Sequence, residues 1–117
     1  MKILYLEDHE FFASEIIEHI TEDTPHTVYY AKTYQEAETL LEEHKMFDAS
    51  IIDIILQNGK TGLLLAETYT TRLGDIMFVT GCTDNITLNA ISKYEYVAKM
   101  DVIWDRLNKF LDKKINI

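Results

Sequence analysis

Little in this chain could staple it, break it or carry it across a membrane. A single cysteine, Cys82, excludes an internal disulfide and fits a reducing compartment. One proline and four glycines in 117 residues are too few for a linker or a low-complexity tract. Positive charge is scarce: 11 Lys and Arg stand against 20 Asp and Glu, a formal net charge of −9. Such a surface repels phosphate backbones and anionic bilayers, which argues against direct nucleic-acid or membrane binding. No apolar run approaches the roughly 18 residues of a membrane span. The apolar start Ile3-Leu4-Tyr5-Leu6 runs straight into Glu7-Asp8, unlike a signal peptide. No internal repeat or boundary is visible, so residues 1–117 read as one domain, expected in the cytoplasm.

What the chain does have is core, with 47% apolar residues arranged in a regular alternation. Ile3-Leu4-Tyr5-Leu6 reads as a buried strand. From Glu10 to Ile20, Phe12, Ile16 and Ile20 recur every fourth position, the mark of an amphipathic helix. Thr27 to Ala31 is a second strand, and Thr33-Tyr34-Gln35-Glu36 a capping box for a helix burying Ala37, Leu40 and Leu41. Ala49 to Asp53 is a third strand whose apolar residues do not alternate cleanly with polar ones, which suits a sheet covered on both faces. Asn58 to Gly62 is loop, Leu63 to about Arg72 helix and Ile76 to Thr80 strand. Asp84 to about Ile91 predicts a short helix and Tyr94 to Ala98 a strand. Asp101 is placed to cap a last helix carrying Ile103, Trp104, Leu107, Phe110 and Leu111. Five βα units predict a doubly wound, five-stranded parallel sheet, an α/β (βα)5 flavodoxin-like fold.

Chemistry concentrates at the carboxyl ends of the predicted strands, where open α/β sheets bind ligands. The first strand ends in Glu7-Asp8, the third in Asp53, the fourth in Thr80 and the fifth near Lys99. Carboxylates crowded together repel unless a cation joins them. An all-oxygen cluster suits Mg2+, which takes few protein ligands and keeps several waters. Beside it, an aspartate can act as nucleophile toward phosphorus, with a lysine and a hydroxyl on the phosphoryl oxygens.

These residues, in this order, resemble the receiver domains of two-component response regulators, over the whole chain. The matching features are the pair Glu7-Asp8, Asp53 within Ile51 to Leu56, Gly62-Leu63, Thr80-Gly81, and Tyr96 three residues before Lys99. The resemblance implies that Asp53 takes a phosphoryl group from a sensor histidine kinase or phosphotransfer protein. It implies Mg2+ on Asp8, Asp53 and the Ile55 backbone carbonyl, with Glu7 acting mostly through water. It further implies that Thr80 and Lys99 hold phosphoryl oxygens and that Tyr96 turns inward as a switch. A downstream effector protein or domain would read the result; a homodimer stays open. The domain would be a signalling module rather than an enzyme, its own phosphoryl transfer and loss aside.

The sequence departs from the family pattern at several places. Met100 follows Lys99 where the family has proline, and Gln57 stands where another proline is usual. The stretch between Thr80 and Lys99 is short. Ile55 and Cys82 occupy positions that tune the lifetime of the phosphoryl group, and neither orients water well, which predicts slow self-dephosphorylation. An alternative function is a degenerate receiver acting as a phosphorylation-independent interaction domain. A phosphatase with an aspartyl nucleophile would want a second acid at position 55, where Ile55 stands. The four histidines, His9, His19, His26 and His44, read as solvated side chains. Tyr94, Phe11, Phe12 and Trp104 read as packing residues.

Overall fold

A computed structural model of the protein describes residues 1–54, 61–81, 89–98 and 103–115. Its elements are β1 (Lys2–Leu6), α1 (Glu10–Asp23), β2 (Thr27–Ala31), α2 (Tyr34–His44), β3 (Ala49–Asp53), α3 (Gly62–Thr68), β4 (Asp75–Thr80), β5 (Glu95–Ala98) and α4 (Ile103–Ile115). The strands form one sheet in the order β2-β1-β3-β4-β5, every pair parallel. This is the flavodoxin-like arrangement that the alternation of the sequence predicts. The chain leaves β1 for β2 and then returns past it to β3. The crevice at the carboxyl ends of β1 and β3 is therefore the topological switch point.

Both faces of the sheet are covered. Leu4, Leu6, Ile52 and Phe78 pack with Ala37 and Leu41 of α2 and Leu65 and Ala66 of α3. Ile3, Tyr5, Ile51, Met77 and Val97 pack with Ala13, Ile16 and Ile20 of α1 and Leu107, Phe110 and Leu111 of α4. Alternate strand residues point to opposite faces, so a strand buried on both sides carries apolar residues on both. β3 is the clearest case, with all five residues buried.

Some boundaries move for identifiable reasons. α1 runs one turn past Ile20 to Asp23, where the Thr24 N–H and hydroxyl both bond the Ile20 carbonyl. α3 stops at Thr68 rather than near Arg72. Arg72 leaves the helix and donates to the Leu41 and Lys45 carbonyls, satisfying the end of α2. Gly74 then turns with φ +68 against the Asp48 backbone, where a Cβ would lie 2.2 Å from the carbonyl oxygen. β5 begins at Glu95; Tyr94 belongs to the preceding turn and meets Phe78 edge-on at 5.1 Å. Of the short helix expected from Asp84, residues 84–88 lie outside the described residues; Asn89 and Ala90 are helical. The expected Asp101 cap also lies outside them.

One histidine reading is corrected. His26 is buried, its Nδ1 3.1 Å from the Met1 nitrogen. His9 caps α1 by accepting from the Phe12 N–H, and His19 bonds Asn108 at 3.0 Å. His44 stacks on Tyr29 at 4.3 Å. Among the described residues, no helix is long and apolar enough to cross a membrane.

Candidate functional site

The site forms where β1 and β3 end. The Glu7 N–H donates to the Ala31 carbonyl at 3.1 Å, continuing the β1–β2 ladder one step past the strand. The Tyr30 hydroxyl, reaching from edge strand β2, donates to the Glu7 carbonyl at 2.6 Å. The Glu7 carboxylate accepts from the His9 N–H at 3.1 Å, which ties it to the start of α1. Glu7 is fully buried and Asp8 half-buried.

Asp53 closes β3 opposite Val79 and is only 4% exposed. Its backbone is gripped from the far side of the loop that follows. The Gly62 N–H donates to the Ile54 carbonyl at 2.7 Å, and a Cβ on Gly62 would fall 2.0 Å from the Asp53 carbonyl oxygen. No side chain fits there, so glycine at 62 is what lets α3 begin against the phosphoacceptor candidate. Thr61 caps that helix, accepting from the Leu64 N–H at 3.2 Å.

The result is a cluster of three carboxylates, Glu7, Asp8 and Asp53, with one oxygen from each within 4.8 Å of the others. Two unit charges at that distance repel by about 3 kcal/mol at an effective dielectric near 20. A cation removes that cost. The donor set is all oxygen, which suits Mg2+ or Ca2+ rather than a softer metal. Such ions sit about 2.0–2.6 Å from their oxygens, so donors this close can share one. The residues fit a hard divalent cation.

The aromatic surroundings feel the same charge. Burial, then the carboxylates of Glu7, Glu10, Glu36 and Asp8, push the Tyr30 phenol up to about 12. Burial raises the Tyr5 phenol further, with Glu7, Tyr30 and Asp53 adding to it. Neither tyrosine was expected at the site. Nothing local marks them; their place depends on β1–β2 register, which sets Tyr5 beside Tyr30.

The other expected residues are placed less completely. Thr80 ends β4, paired with Ala98 of β5, so the strand ends carrying Asp53 and Thr80 are adjacent. Tyr96 is half-buried in β5, packed against the core on the α2–α3 face, and its carbonyl accepts from Arg106 at 2.8 Å. Ile55, Cys82 and Lys99 lie outside the described residues.

No family model and no curated protein matches the sequence. Solved structures do match. The N-terminal domain of a response regulator/sensory box/GGDEF protein from Carboxydothermus hydrogenoformans is 26% identical, TM-score 0.79, over 99% of this chain and 94% of that one. The response regulator TrrA from Thermotoga maritima, in complex with Mg2+ and BeF, is 22% identical, TM-score 0.79, over 97% of both chains. A response regulator from Burkholderia pseudomallei with a phosphorylated aspartic acid and a calcium ion is 24% identical, TM-score 0.75. That match spans 91% of this chain and 64% of the other. Strand order, buried acids at the switch point and these likenesses agree: the chain has the fold of the response-regulator receiver domains.

Proposed function

We propose that the protein is a phosphorylation-dependent receiver whose phosphoryl group forms on Asp53 in the presence of Mg2+. The single observation that carries this reading is the cluster of Glu7, Asp8 and Asp53 at the switch point. Mg2+, when bound, would offset the negative charge of the carboxylates and of an incoming phosphoryl group. Asp8 and Asp53 would hold it, with the Ile55 backbone carbonyl as a further oxygen and Glu7 acting mostly through water. An Asp53 carboxylate oxygen attacks phosphorus while the bond from phosphorus to the donor histidine nitrogen breaks; that nitrogen keeps the electron pair and takes a proton. Thr80 and Lys99 would meet the phosphoryl oxygens, and Tyr96 would report the change to the surface. Partners on this reading are a histidine kinase or phosphotransfer protein on one side and an effector on the other, in the cytoplasm. Such a domain signals; it does not turn over a substrate.

The likeness to TrrA, which binds Mg2+ and BeF, suggests the test. Beryllofluoride stands in for the phosphoryl group. The melting temperature should rise with beryllofluoride and Mg2+ together, and not with either fluoride alone or beryllofluoride in the Asp53→Asn variant. No rise in the wild-type protein would favour the alternative, a degenerate receiver that binds partners without phosphorylation.

A further inference from the structure

Tyr5 presents a donor that the fold does not use. The residue is fully buried, and its hydroxyl has no hydrogen-bond partner among the described residues. It lies on β1 two residues before Glu7 and pairs with Ile51, which lies two residues before Asp53. With the two-residue period of a strand, Tyr5, Glu7, Ile51 and Asp53 share one face of the sheet. Tyr5 therefore lies one step below both buried acids of the cluster. Its ring packs on Tyr30, 5.8 Å between centroids, whose own hydroxyl is already given to the Glu7 carbonyl. A phenol keeps its proton at neutral pH, so Tyr5 is an O–H donor.

A hydroxyl buried without an acceptor is a cost that phenylalanine in the same place would not carry. A ligand shifts an equilibrium only through interactions that differ between two states. A bound cation would bring further oxygen atoms to this face, from its hydration shell or from carboxylates turned toward it.

We propose that Tyr5 is a positioning residue of the acidic site, its hydroxyl donating to an oxygen present only when a divalent cation is bound, and so favouring the occupied state. This inference rests on the cation-binding reading above. It predicts opposite effects in the two states, which a residue serving only to fill the core would not produce.

The test is Tyr5→Phe in the full chain. Two quantities are measured: the Kd for Mg2+ by calorimetry and the melting temperature of the cation-free protein. The expected result is a Kd raised about three- to tenfold, the worth of one hydrogen bond. The cation-free protein should melt about 2–6 °C higher, as a buried unmet donor is removed. An unchanged Kd beside normal wild-type binding overturns the role of Tyr5 and leaves the cation site standing. A lower melting temperature, or failure to fold, means the hydroxyl is bonded in the empty protein and also overturns it. A wild-type protein that takes up no Mg2+ overturns the site itself and the inference with it.

Discussion

The two ends of the sheet use carboxylates in opposite ways. At the amino end, the exposed Asp48 accepts from the Lys2 N–H at 2.7 Å, and its backbone joins β1, the turn at Gly74 and the start of β4. The Lys2 ammonium nearby lies over the Tyr29 and Phe47 rings, 5.8 and 5.5 Å from their centroids. Each of these charged groups has a partner within the fold. At the carboxyl end, three carboxylates crowd within 4.8 Å, two of them buried. The same residue type closes the structure at one end and forms the candidate cation site at the other. Stability and function are thereby separated along the strands.

The strongest way to break that separation is through the two tight glycines. Gly62→Ala and Gly74→Ala should each cost about 3 kcal/mol or more in denaturant unfolding, because a Cβ meets backbone at 2.0 and 2.2 Å respectively. They should differ in function. Gly62→Ala displaces the Asp53 backbone and should abolish phosphorylation even in the molecules that remain folded. Gly74→Ala, at the far end, should leave phosphorylation per folded molecule unchanged.

A smaller effect should sharpen the comparison by its sign. Asp53→Asn removes one of three mutually repelling charges and should stabilise the cation-free protein by about 1–3 kcal/mol. Added Mg2+ should shrink that advantage, because the wild-type site gains more from it. Asp48→Ala removes an acceptor from a backbone N–H and should destabilise by about 1 kcal/mol, with or without Mg2+. Chemical denaturation at both ends of an Mg2+ titration measures all four values.

The smallest effect is a pH dependence that belongs to the amino end. Burial, and then the Met1 ammonium beside it, lower the His26 pKa below its ordinary value near 6.5. The unfolded chain therefore takes up its proton first as pH falls. Stability should decline as pH drops through 6.5 toward the folded value, and level off below it. His26→Gln should flatten that part of the stability profile and leave phosphorylation at pH 7.5 unaltered.

The parts legible in sequence are those with a short-range signal. β2 and β3 fall where their apolar runs place them, and Thr33 caps α2, accepting from the Glu36 N–H. The Glu36 carboxylate returns to the Lys32 N–H rather than to Thr33, a small variation on the expected box. Glu7, Asp8 and Asp53 were legible because strand ends bring acids together once the sheet is known to be parallel. What stayed hidden depends on contacts distant in the chain. Tyr30 meets the Glu7 carbonyl across 23 residues, and Arg72 meets the Leu41 carbonyl across 31. His26 gives no local sign of burial, and histidine is not a usual helix cap, so nothing in the sequence marks the capping role of the exposed His9. Arg72 looked like a continuing helix because its role lies in α2.

The most direct test of the central claim is the intact mass after incubation with acetyl phosphate, with and without Mg2+, beside Asp53→Asn. The account predicts a gain of one phosphoryl group that requires Mg2+ and is lost in the variant. A folded wild-type protein that gains none, or an Asp53→Asn variant that gains as much, would contradict it.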